Sequence, residues 1–312
     1  MNILILTQTV DINNPVLGFF HNWIKEFSKQ YKKVTVICLE CGEYKLPKNV
    51  KVLSLGKENG RSIIKYIFKF YFYIWNERKN YDMVFVHMNQ EYVLLAGDVW
   101  RFMGKKVYLW RNHATGNMLT RLAIFLANKV FYTSPKSFTA KFKKAVKMPV
   151  GIDTDFFIPD SSVKKIPKSI LFLGRIAPVK RVVEFIDWFR EQNSSHVATI
   201  AGESLPKDKD YEVRLRKLIE NYGLASRVKF VGAVTHEDAR RLYRTHEIYV
   251  NLTPAGSMDK TIFEASACET KIIVENKDLK FLEELDNSEL RKYVVENHSL
   301  NKLFKALKLE LK

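Results

Sequence analysis

Arg175 and Lys180 stand five residues apart in "FLGRIAPVKR", directly after the apolar run "SILFL". A guanidinium and an ammonium so placed, near the start of the next helix, suit a diphosphate, because both charges add to the positive end of the helix dipole. A second set lies in "YVNLTPAGSMDKTIFEASACE". There a strand-like run passes through Gly256 into a helix, so Ser257, Met258, Asp259, Lys260 and Thr261 present consecutive backbone N–H groups that can cradle phosphate oxygens. Glu264 follows one turn later, where a carboxylate can accept two hydroxyl hydrogen bonds, as from a ribose. Gly174 ends "SILFL" itself, and Gly202, with Gly232 and Ala233, ends two further apolar runs. Small residues there let a planar base lie against the backbone. Each piece alone has an ordinary explanation as a solvated cation, a first-turn acid or a turn. Gathered at one sheet edge, they point to a nucleotide diphosphate.

The elements that must position these residues are legible as an alternation. "NILIL", "KVTVICL", "VKVLSL", "DMVFVH", "KVYLW" and "KVFYTS" read as strands of a first half, separated mostly by amphipathic stretches such as "FHNWIKEFSKQ". "SILFLG", "VATIAG", "VKFVG", "EIYVNL" and "KIIVEN" repeat the scheme in a second half. Strands alternating with helices predict an α/β fold of two doubly wound, Rossmann-like domains with parallel sheets, whose ligands lie beyond the strand C-termini. A chain of 312 residues is long enough for two such cores. The first spans 1–150, a Pro-containing linker 151–168, and the second 169–278. The tail 279–312 is helical and mixed in charge; it reads as a packing element, with the first domain as one surface to cover.

Composition narrows the class. Apolar residues at 46% and charged residues at 27% are ordinary for a folded chain. "MNILILTQTV" has no basic flank or cleavage site and reads as a first strand rather than a leader. "SIIKYIFKFYFYIW" is too short, and too interrupted by Lys65 and Lys69, to span a bilayer. Three cysteines, Cys38, Cys41 and Cys268, make a disulfide framework unexpected and a cytoplasmic location the default. The Cys38–Cys41 C-x-x-C lacks a second pair and is read as strand-end thiols, and the histidines show no metal-ligand spacing. No Gly-rich nicotinamide fingerprint occurs, Gly18 being the only glycine of the first strand-to-helix connection.

The motifs "FLGRIAPVKR", "IAGES", "VKFVGAV", "YVNLTPAGSMDKTIFEASACE" and "VGIDTDFFIP" together resemble glycosyltransferase family 4, retaining nucleotide-sugar-dependent enzymes of the GT-B fold. The resemblance runs over most of 150–275 and more weakly over the first domain. It implies that Arg175 and Lys180 hold the donor diphosphate and stabilise the departing charge, in place of a metal ion. Glu264 aligns with the second acid of the family's E-x7-E motif, at the ribose. The first acid falls on Gly256, a departure that bears on the donor sugar, with Asp259 able to take over part of that role or to cap the helix. In "KVYLWRNHATGN" the resemblance places His113 at the reacting sugar, and Gly18 where the backbone approaches the donor phosphates. His87, in "VFVHMN", is a weaker candidate. Donor and acceptor would meet in the cleft between domains, with no cofactor beyond the donor itself.

Charge is divided unevenly. Residues 1–150 hold 24 basic and 9 acidic side chains, a balance of +15, against 27 and 25 in the remainder. Residues 101–150 hold no acid at all. Such a half attracts a polyanion. The implied activity is sugar transfer, with retention, to a glycan or lipid-linked acceptor in cell-surface polysaccharide or glycoconjugate synthesis, the basic domain resting on an anionic membrane surface. The run "KYIFKFYFYIWNERK" is either part of that contact or a core-packed helix with its lysines outward. The rivals are a nucleotide-sugar-binding protein impaired in catalysis, suggested by Gly256, a nucleotide-sugar epimerase, and a basic nucleic-acid-binding protein. No helix-turn-helix, zinc or RNA-recognition signature supports the last, so no specific nucleic acid is expected.

Overall fold

A computed structural model describes every residue except Arg61 and Ser257. It divides into two units, Met1–Met148 with Phe304–Lys312, and Pro149–Leu303.

The first unit is a seven-stranded sheet, all parallel, formed by β1 (Ile3–Val10), β2 (Val34–Cys41), β3 (Val50–Ser54), β4 (Met83–His87), β5 (Lys106–Trp110), β6 (Lys129–Tyr132) and β7 (Ala145–Lys147). Their order is β3-β2-β1-β4-β5-β6-β7. Ile3, Leu4, Ile5 and Leu6 are buried on both faces of β1, as a central strand requires. Helix α1 (Phe19–Gln30) buries Phe20, Trp23, Ile24 and Phe27 at helical spacing. Helices α2 (Ile63–Asn76), α3 (Gln90–Phe102) and α4 (Met118–Leu126) share one apolar cluster with the sheet. A capping box between Asn117 and Thr120 starts α4. The last residues join this unit: Phe304 meets Phe27 with ring centroids 4.8 Å apart, and Tyr108 Oη donates to the Lys312 carbonyl at 2.8 Å.

The second unit holds β8 (Ile166–Leu173), β9 (Val197–Ala201), β10 (Val228–Gly232), β11 (His246–Asn251) and β12 (Lys271–Val274), again all parallel, in the order β10-β9-β8-β11-β12. Between them run α5 (Val182–Arg190), α6 (Lys209–Asn221), α7 (His236–Thr245) and α8 (Lys260–Ala267), followed by α9 (Asn287–His298); α10 (Leu300–Glu310) begins in this unit, and its residues from Phe304 on belong to the first. The segment expected as a linker is tied into this unit. Ile152 N–H donates to His298 O at 2.8 Å, and the Arg291 guanidinium reaches the carbonyls of Thr154, Phe157 and Ala267. The order of the strands puts the topological switch point between β8 and β11. Connections leave their C-terminal ends in opposite directions, which opens a crevice for ligand there.

Candidate functional site

The β8–β11 crevice is where the second domain's sequence candidates converge. Leu173 ends β8, and Gly174 and Arg175 follow, Arg175 exposed to solvent. A short 3-10 turn, Pro178–Lys180, then sets Lys180 immediately before α5, with Arg181 in the left-handed region at φ +55. From the other side, β11 ends at Asn251 and the loop returns to α8 at Lys260.

The two connections meet in an ion pair that sequence reading did not foresee. Lys180 Nζ donates to Asp259 Oδ2, and both side chains are mostly covered. Asn251 Nδ2 at 3.1 Å and Thr253 Oγ1 at 3.3 Å donate to the same oxygen. Burial works against the charge on Asp259, but the Lys180 ammonium, with hydrogen bonds from Lys180, Asn251 and Thr261, outweighs it and holds the carboxyl below its ordinary value. Asp259 occupies the N-cap position of α8 without a side-chain cap bond, which corrects the capping alternative. Lys180 is therefore a positioned cation rather than a free one. Behind the pair, Tyr249 Oη lies 2.7 Å from Thr261 Oγ1 and 3.3 Å from Leu173 O, within hydrogen-bond reach of both, tying α8 to the end of β8.

Glu264 is buried one turn into α8 and accepts from Tyr243 Oη at 3.1 Å. Burial pushes its carboxyl up, opposed by His236, Lys260 and the Tyr243 hydrogen bond. Lys260, whose Nζ donates to Val150 O at 3.2 Å, is pushed down by burial to about 7, with Glu264 opposing. Met258 packs against the core beneath α8. Ser257 lies outside the described residues. Gly256 has φ +122, a region that L side chains rarely adopt. The missing acid of the motif is thus accompanied by a backbone that suits glycine.

The three strand-end glycines interlock. Gly202 N–H donates to Gly232 O at 2.7 Å, and Gly174 N–H to Ala201 O at 3.0 Å. With φ +134, a Cβ on Gly202 would fall 1.9 Å from the Gly174 carbonyl oxygen. Gly202→Ala should therefore cost about 3 kcal/mol or more and lower the melting temperature by at least about 6 °C. A thermal melt within about 2 °C of the parent, the scatter of an ordinary surface change, would contradict the contact. Gly232 and Ala233 border open space, Ala233 being exposed.

In the first domain, His113 is exposed just beyond β5. Its Nδ1 lies 3.1 Å from the Thr115 amide nitrogen. The Thr115 hydroxyl at 3.1 Å and carbonyl oxygen at 3.2 Å face the same nitrogen, so Thr115 holds that edge of the ring. Beneath it Arg111 is buried, donating to Gln90 Oε1 at 3.0 Å and Thr115 O at 2.8 Å. His87 is buried instead, stacked on Phe20 at 4.0 Å, a packed ring at the end of β4. At Gly18 a Cβ would meet Asn14 O at 2.7 Å, so the loop's own turn already demands glycine. Asn251, Thr253, Tyr243 and Arg111 were missed from sequence; the polar pair Asn251 and Thr253 ending an apolar strand was the visible signal. Among the described residues no three His, Cys, Asp or Glu side chains gather as a metal would require.

A family model described as "Glycosyl transferases group 1" matches residues 153–312, half of the chain, including both connections of the β8–β11 crevice. The chain belongs to that family. No curated protein matches it by sequence. Among solved structures, this group 1 glycosyltransferase is similar to HepE of Anabaena in complex with UDP and glucose, at 16% identity over 100% of this chain and 99% of that one, with a TM-score of 0.77. It is also similar to the sucrose-phosphate synthase of Thermosynechococcus elongatus, at 14% identity, 98% and 93% coverage and a TM-score of 0.71. A glycosyltransferase from Rickettsia africae gives 14%, 99% and 97%, and 0.70. The fold of the group 1 glycosyltransferase is accordingly GT-B, with two parallel-sheet α/β domains.

Proposed function

We propose that the chain transfers a sugar from a nucleoside diphosphate sugar to a hydroxyl of a glycan or glycolipid, with retention, in the synthesis of a cell-surface polysaccharide or glycoconjugate at the cytoplasmic face of the membrane. The observation that carries the donor assignment is the convergence of Arg175, the Lys180–Asp259 pair, the N-terminus of α8 and Glu264 at the β8–β11 switch point. A diphosphate placed there meets Arg175, Lys180 and the first amides of α8, and a ribose meets Glu264. Charge leaving with the diphosphate is taken up by the two cations, so the reaction is proposed to proceed without a metal. His113, exposed just beyond β5, is assigned to orienting the transferred sugar and the acceptor hydroxyl, and Gly18 to backbone approach near the donor phosphates.

UDP is the first nucleotide to test, since HepE, the Anabaena protein of the same fold, was solved with it. Calorimetry and thermal melts of the full chain with UDP, GDP, ADP and their sugar conjugates, in the absence of metal, should show one nucleotide stabilising it selectively. Stabilisation by none of them would overturn the donor site. Gly256 favours a second reading, a nucleotide-sugar binder impaired in catalysis. Release of free sugar from the bound donor would dismiss it.

A further inference from the structure

The first domain bears an apolar surface that its core leaves unused. On α2 only Phe70 and Ile74 are buried. Ile64, Phe68, Phe72 and Trp75, which fall at i, i+4, i+8 and i+11, are between 53% and 82% exposed. That spacing is a single stripe along the helix. Helix α2 is thus packed on the core by one face, through Phe70 and Ile74, and leaves the other face outside. Helix α4 repeats the arrangement, with Met118, Leu119, Leu122 and Phe125 between 46% and 78% exposed. Both helices pack on α3. Phe70 meets Tyr92 at 5.5 Å between centroids, and a Cβ on Gly97 would sit 2.9 Å from Leu126 Cβ.

Cations are interleaved with these side chains. Arg101 lies 5.7 Å from the Phe125 ring and Arg78 4.4 Å from the Trp75 ring. Lys141 sits 3.9 Å over Phe138, with Arg121 5.7 Å from the same ring. Neither α2 nor α4 contains an acid; Glu77, at the C-terminal end of α2, is buried and paired with Lys51, and Glu91 and Asp98 are exposed on α3. An apolar stripe ringed by cations is unfavourable in water and matches an interface where rings and aliphatic chains enter the headgroup boundary while cations meet phosphates. A duplex would use the cations and leave Ile64, Met118 and Leu122 with nothing to bury against. A second copy would bring the same cations to a two-fold contact, where they repel.

We propose that the outer faces of α2 and α4 form a docking surface for an anionic lipid bilayer. This deepens the glycosyltransfer reading by giving a lipid-linked acceptor a surface to lie in, but the lipid contact stands on its own observations. The test is sedimentation of the full chain with vesicles of phosphatidylcholine alone and of phosphatidylcholine mixed with phosphatidylglycerol. The parent should bind the mixed vesicles selectively and less at high salt, and Leu122→Glu/Phe125→Glu should lower that binding at least about tenfold. Arg121→Ala/Lys141→Ala, which leaves the apolar stripe intact, should lower it about threefold to tenfold. Nucleotide-induced stabilisation should be the same in parent and variants, which also verifies folding. Absence of anionic selectivity, equal binding by the variants, a dimer dissolved by Leu122→Glu/Phe125→Glu, or a duplex affinity abolished by it would each overturn the proposal. Vesicle binding without any nucleotide response would instead remove the donor reading alone.

Discussion

Replacing Lys180 by alanine should slow sugar transfer by at least about a hundredfold, equivalent to roughly 3 kcal/mol of transition-state stabilisation. A charge-assisted contact to the leaving diphosphate is worth about 2 to 3 kcal/mol, and more where water is excluded. The geometry adds a second loss. Asp259 Oδ2 receives Lys180, Asn251 and Thr253, and only the ammonium neutralises its charge. Without Lys180 that mostly covered carboxylate would confront the incoming diphosphate. Lys180→Ala/Asp259→Asn should therefore recover about tenfold of the activity lost in Lys180→Ala, because the repulsion is gone while the missing contact is not. Arg175→Ala should be as slow as Lys180→Ala without loss of thermal stability, since Arg175 is exposed and makes no hydrogen bond or ion pair among the described residues. Steady-state donor consumption measures all of these. Turnover at the parent rate in both Lys180→Ala and Arg175→Ala would overturn the site.

The alternation of apolar runs makes both sheets readable in the sequence, because a parallel strand is buried on both faces and announces itself in a short window. The short β7 at Ala145–Lys147 escaped, being three residues of mixed polarity on the sheet edge. The candidate donor residues were readable for a related reason: in such a sheet they must follow strand ends, and Arg175, Lys180 and Glu264 do. What each side chain touches was not readable. The Lys180–Asp259 pair joins residues 79 apart in the chain, and Tyr243 reaches Glu264 from a different helix. Helix α2 shows the same limit from the opposite side. Its residues are apolar nearly all round, so periodicity could not say which face the core would take; packing of Phe70 against Tyr92 and Trp100 decides it.

Glu264→Ala should weaken nucleotide binding about a hundredfold, the worth of two hydroxyl hydrogen bonds to a buried carboxylate. Alanine also strands Tyr243 Oη, whose acceptor at 3.1 Å is Glu264, so this variant alone would confuse binding with folding. Two further variants separate them. Glu264→Gln keeps the shape and an acceptor for Tyr243 and removes the charge; it should melt near the parent temperature and bind nucleotide about tenfold more weakly. Tyr243→Phe leaves Glu264 intact and should retain nucleotide affinity while losing stability. Acidity supplies an independent check. Burial holds the Glu264 carboxyl above its ordinary value, so it begins to protonate at a higher pH than a surface glutamate, and the protonated form accepts fewer hydroxyl bonds. Nucleotide affinity should consequently fall as pH drops through that raised range, and the part of the slope owed to Glu264 should vanish in Glu264→Gln, which has no proton to gain. Calorimetric titrations across that range measure it. Equal slopes in parent and Glu264→Gln, with equal affinity at neutral pH, would mean that Glu264 serves Tyr243 and the core of α8 rather than the ribose.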